Sequence, residues 1–187
     1  MAALGVVTGL ISSLPSPLPD LRVGDADILI SAERVPLHAG IVFGALVGGV
    51  MWRWVSRDAG KCLLAMALAL MGWLAAINTA NEVITTVLNS DLFGAAPGAK
   101  ANREILGWLA GGVAAGGVGA GLTAFGAGIP ASALRRPEAW GVIVGVGALF
   151  GLLLYPAAAL DAVILLFVPW QAAVSAAIAY GLTGPRA

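Results

Sequence analysis

Asn78, Asn81, Glu82 and Thr85 recur at i, i+3, i+4 and i+7, which places them on one face of an otherwise apolar helix. An ionisable group at membrane depth is costly and turns toward protein or water, so such a stripe marks a candidate solute pathway. Counting from Lys61, Asn78 falls past the middle of the span and Glu82 near its far end. There the competing role is plainer: the carboxylate emerges at the surface and the amides bridge helices. Gln171 is a second candidate lining residue. It follows Pro169, whose missing N–H bends a helix and frees a carbonyl one turn away. Ser175 lies four residues further on the same face. His38, Glu82 and Asp161 form an outer-side set that could bind a divalent cation or relay protons if the fold brought them together. Nothing in their spacing does so, and a lone histidine two residues after Pro36 reads more simply as interfacial, so no metal site is expected.

The sequence also excludes several chemistries. One cysteine, Cys62, and one histidine rule out an intrachain disulfide, a cysteine metal cluster and bis-histidine haem, and no cofactor is expected. Ten basic and ten acidic residues balance, with no basic block for a nucleic acid. There is no serine nucleophile elbow, no His-Glu metalloprotease motif and no phosphate-binding glycine–lysine loop. An enzyme, including one acting on lipids, is the least favoured class.

The elements that position these residues are membrane spans. Mean hydropathy is +0.93, and long glycine-studded runs carry almost no charge. About 20 apolar residues in a helix cross roughly 30 Å of hydrocarbon. The chain reads as an all-α integral membrane protein, a polytopic bundle forming one transmembrane domain over 1–187. Five spans are clear, at 36–54, 63–87, 106–128, 140–155 and 163–182. Residues 2–14 make a short sixth, stopped by Pro15, Pro17 and Pro19. With no Lys or Arg before Arg22, this segment lacks the basic region of a secretory signal and is expected to be retained.

Arg53, Arg57 and Lys61 follow the first clear span, and Arg135 and Arg136 follow the third. By the positive-inside rule both loops face the cytoplasm, and Arg186 places the C-terminus there too. Trp52, Trp54, Trp108 and Trp140 fall near span ends as an interfacial belt, whereas Trp73 and Trp170 lie deeper.

Gly40, Gly44 and Gly48 share one helical stripe. Gly112/Gly116 and Gly117/Gly121 repeat the spacing in the third clear span, and Gly141/Gly145 in the fourth. Such faces let backbones approach where lipid supplies no hydrophobic drive, so these glycines are expected to pack helices. The span pattern is compatible with a 3+3 inverted repeat, a plan common among transporters, although the likeness between halves is limited to glycine-rich stretches.

The leading expectation is a small-solute transport protein or channel of the bacterial inner membrane, lipid-embedded, homo-oligomeric or joined to other membrane subunits. Asn78, Asn81, Glu82 and Gln171 are its expected polar lining. The alternative is a non-catalytic accessory subunit whose glycine faces serve partner helices.

Overall fold

The computed structural model describes residues 1–15, 37–92, 94 and 98–184. Pro17, Pro19, Pro36 and Arg186 lie outside the described residues, as do the charges expected between 20 and 34. All regular structure among the described residues is helical: α1 Ala2–Ser12, α2 Leu37–Trp54, α3 Ala59–Leu88, α4 Ala99–Gly128, α5 Pro137–Gly151, α6 Leu154–Ala159 and α7 Ile164–Thr183. Five stretches are long and apolar enough to cross a membrane: α2, α3, α4, the α5–α6 pair and α7. The chain is an integral membrane helix bundle.

Local chemistry sets the boundaries. Asp58 caps α3, its carboxylate accepting the Lys61 backbone N–H at 3.1 Å. That bond and the Lys61 ammonium at 3.3 Å hold the Asp58 carboxyl below its ordinary range. At the same end of the bundle, Arg135 donates to the Gly128 and Ile129 carbonyls (2.7 and 3.0 Å), covering groups that the end of α4 leaves unpaired. Its neighbour Arg136 reaches the Gly181 carbonyl at 3.0 Å and ties this loop to the end of α7. Pro137 then occupies the first turn of α5, where its missing N–H costs nothing.

Four of the spans differ from the ranges expected of them. The fourth clear span breaks at Leu152–Leu153, one turn before Pro156, and Pro156 sits in the first turn of α6. The pyrrolidine ring obstructs the carbonyl four residues back, so the break precedes the proline and the helix restarts around it. α3 and α4 each run to 30 residues, about 45 Å, longer than a hydrocarbon core is thick; α3 begins earlier than expected, at Ala59, and α4 at Ala99. α1 is shorter than expected. Its 11 residues cover about 16 Å, half a membrane, and it lies along α7.

The helices close a ring in the order α1, α2, α3, α4, α5–α6, α7 and back to α1, each packed on its two neighbours. Contacts fix the levels. A Cβ built on Gly40 would sit 2.6 Å from Trp73 Cδ1, and one on Gly5 would sit 2.5 Å from the Gln171 carbonyl oxygen. Trp73 is at the midpoint of α3. The layer containing Gly5, Gly40, Trp73, Gly119 and Trp170 is therefore the middle of the bundle.

Backbone approach is tightest between α4 and α5, where added Cβ atoms on Gly112 and Gly116 would collide with the Gly151 and Gly147 carbonyls. A Cβ added to Gly44 would lie 2.8 Å from the Met66 carbonyl oxygen and one on Gly48 2.9 Å from Met66 Cβ, whereas one on Gly117 or Gly121 would have ordinary clearance of 3.7 Å. A Cβ built on Gly141 or Gly145 would meet no neighbouring helix within 4 Å among the described residues. Helical geometry explains this. Residues two apart are about 200° apart around the axis, so packing Gly147 against α4 turns Gly145 outward.

Candidate functional site

A cavity of ≈ 90 Å³ opens inside the ring at mid-depth. Phe43 of α2 closes one side, and Trp73, Ala76 and Ala80 of α3 form the next wall. Gly112, Gly116 and Gly119 of α4 supply bare backbone, and Leu154, Phe167 and Trp170 complete the enclosure. The aromatic rings interlock across it. Trp73 meets Phe167 edge-on with centroids 5.2 Å apart, and Phe43 meets Trp170 at 5.4 Å. Its polar groups are few: Thr123, whose hydroxyl donates to the Gly119 carbonyl at 2.8 Å, and two indoles. Trp170 donates from Nε1 to the Gly147 carbonyl at 3.0 Å. The Nε1 of Trp73 is buried and has no acceptor among the described residues.

The polar stripe on α3 lies elsewhere. Asn78, Asn81 and Glu82 do not line the cavity, although their neighbours Ile77 and Ala80 do. Asn78 is half-buried and donates to the Leu74 carbonyl at 3.0 Å, turning back on its own helix. Asn81 is half-buried, and Glu82 is exposed about 13 Å beyond Trp73, close to the edge of a hydrocarbon core.

Gln171 is fully buried, yet it faces α1. Its Nε2 donates to Ser12 Oγ at 3.0 Å, and its Oε1 is unpaired among the described residues. The amide thus tethers the short helix to α7 at the level where Gly5 and Gly9 meet the α7 backbone. Ser175, one turn on, is also buried, its hydroxyl unpaired among the described residues. His38 is buried near the start of α2 with both ring nitrogens unpaired among the described residues, while Asp161 is exposed on the α6–α7 connection with φ 49°. These two and Glu82 do not converge: no metal-sized group of His, Cys, Asp or Glu exists among the described residues.

The residues that wall the cavity carry little chemical signature, so a search for polar or titratable groups passes over them. One signal was legible. Trp73-Leu-Ala-Ala-Ile-Asn78 and Trp170-Gln-Ala-Ala-Val-Ser175 run in parallel, and both tryptophans face the same void. No protein-family model, curated protein or solved structure matches this chain.

Proposed function

We propose that the chain is a membrane transport protein for a small solute, with the mid-depth cavity between Trp73 and Trp170 as the solute's resting place. One observation carries this reading: the helices leave a void at the centre of the bundle, walled by five of the spanning segments. Small-molecule sites are concave, mostly apolar and few per protein, and bundles hold them between helices. The polar stripe moves to a different role in this account, with Asn78 and Asn81 stabilising α3 and Glu82 meeting the outer interface.

An inverted repeat fits the same reading. Exchange of α1, α2 and α3 with α4, α5–α6 and α7 maps the ring of contacts onto itself. Trp73 over Gly40 corresponds in level to Trp170 bonded to Gly147. Ala2-Ala-Leu-Gly-Val and Ala114-Ala-Gly-Gly-Val add a third matching pair. Transporters built this way hold their substrate at the repeat interface near the midplane. Glycine contacts between α4 and α5 supply the close-packed scaffold. Arg53, Arg57, Lys61, Arg135 and Arg136 gather at one end, which we assign to the cytoplasm together with the C-terminus. The bacterial inner membrane remains our localisation.

A second reading rests on the outward glycines. Gly141, Gly145 and Gly49 open to the surface with no Cβ contact, as an accessory subunit receiving a partner helix, or a homo-oligomer, would need. Native mass spectrometry after mild-detergent extraction separates the two readings. A lone species or homo-oligomer whose liposomes pass N,N-dimethylacetamide faster than protein-free liposomes supports transport. A stoichiometric foreign subunit with no added flux contradicts it.

A further inference from the structure

We infer that the cavity binds an uncharged molecule with a small apolar body and one hydrogen-bond acceptor, received by the indole N–H of Trp73. This deepens the transport reading by naming the class of solute, but its test reads binding and not flux. A protein that binds without transporting therefore fails only the earlier proposal.

The argument begins with what the walls forbid. Among the described residues no charged side chain lines the cavity, and a charge brought to the middle of a bilayer without a partner is strongly disfavoured. A polar solute with several donors and acceptors would leave most of them unpaired against alanine, glycine and aromatic carbon. The occupant's body is apolar.

The two tryptophans then specify its polar atom. Both sit at mid-depth in matching sequence settings, and both line the void. Trp170 spends its N–H on the Gly147 carbonyl, whereas the Trp73 N–H is buried with no acceptor among the described residues. Buried donors in folded proteins are nearly always satisfied, so an unpaired one beside a cavity points to a missing acceptor. Gly40 lies against the pyrrole edge of Trp73, so no α2 side chain at that position supplies one. A single water fits poorly, because a buried water needs two to four polar partners and these walls offer few. A lipid acyl chain has no acceptor along its length. A ketone, quinone or ether oxygen on a small apolar frame meets both requirements.

The test uses the full chain in phosphatidylcholine nanodiscs with ¹⁵N-labelled indoles, the Trp73 signal being assigned from the Trp73→Phe variant. Acetophenone, an aromatic ring with one carbonyl, is compared with ethylbenzene, which has nearly the same shape and no acceptor. The expected result is a saturable downfield shift of the Trp73 indole proton with acetophenone. Ethylbenzene should bind about fivefold more weakly, the worth of one net hydrogen bond. Ala76→Leu should abolish the shift by filling the cavity, with Ala115→Leu, on the α4 wall of the same cavity, as the second filled variant if the first does not fold. An unmoved or unsaturable Trp73 signal overturns the proposal. Equal affinity for the two probes overturns it as well, since it leaves the N–H without a role.

Discussion

Helix α3 has two faces that solve the same problem differently. Along one, Trp73, Ala76 and Ala80 look into the bundle and leave a void among aromatic rings. Along the other lie Asn78, which bonds back to the Leu74 carbonyl, the half-buried Asn81, and Glu82, which is exposed. In water the polar face would be the natural binding site. Within a membrane the costs reverse, because polar atoms must be satisfied before anything else and small apolar residues are what leave space. The difference places the candidate site on the plain face of the helix. A similar contrast separates two seams of the ring. The α4–α5 seam is glycine against glycine, closed by backbone contact. The α1–α7 seam adds a buried Gln171–Ser12 bond to its glycines.

Substitutions at the α4–α5 seam should have the largest effect. Gly116→Leu drives side-chain atoms into the Gly147 carbonyl and should eliminate monodisperse folded protein on size exclusion, whereas Gly145→Leu, facing open space, should leave the yield unchanged. Equal loss in both would erase the distinction between inward and outward glycines. Next in size is the filling of the cavity. Ala76→Leu should cost about 1–3 kcal/mol through overpacking, measured by thermal unfolding in detergent, while still folding. The α1–α7 seam should respond less. Gln171→Leu removes a bond to Ser12 but also an unpaired buried oxygen, so a change of under about 1 kcal/mol is expected. A larger loss in the same melt would show that Gln171 Oε1 has a partner that matters.

Smallest is Asp58→Ala at the exposed cap of α3. The Asp58 carboxyl titrates lower in the folded chain than its ordinary 3.8. Its contribution is therefore complete above that value and lost as pH falls through the folded-state pKa. The gap in melting temperature between wild type and variant should be present at pH 7 and close in stronger acid. A gap that persists there would assign it to helix propensity and not to the charged cap.

The legible part of this fold was what hydrophobic runs encode. Five spanning segments and the basic end of the bundle follow from composition and charge, because a bilayer imposes length and polarity on any crossing helix. Boundaries were less visible. The break at Leu152–Leu153 is displaced a full turn from the proline that causes it, and α3 and α4 extend into polar sequence that hydropathy does not count. Polarity drew attention to Asn78, Asn81, Glu82 and Gln171, since cost marks such residues. The cavity was hidden because it is made of residues that are small. Rotation about each helix axis, which turns Gly147 inward and Gly145 outward, is decided by neighbours and not by spacing alone.

The most direct test of the central claim is proteoliposome flux of N,N-dimethylacetamide, a small solute with one carbonyl acceptor and no donor, followed by stopped-flow light scattering, in Ala76→Leu beside Glu82→Gln. If the void on the inner face of α3 is the solute site, Ala76→Leu returns the rate to that of protein-free liposomes and Glu82→Gln keeps the wild-type rate. Flux lost in Glu82→Gln and retained in Ala76→Leu would contradict the account and return the pathway to the polar face.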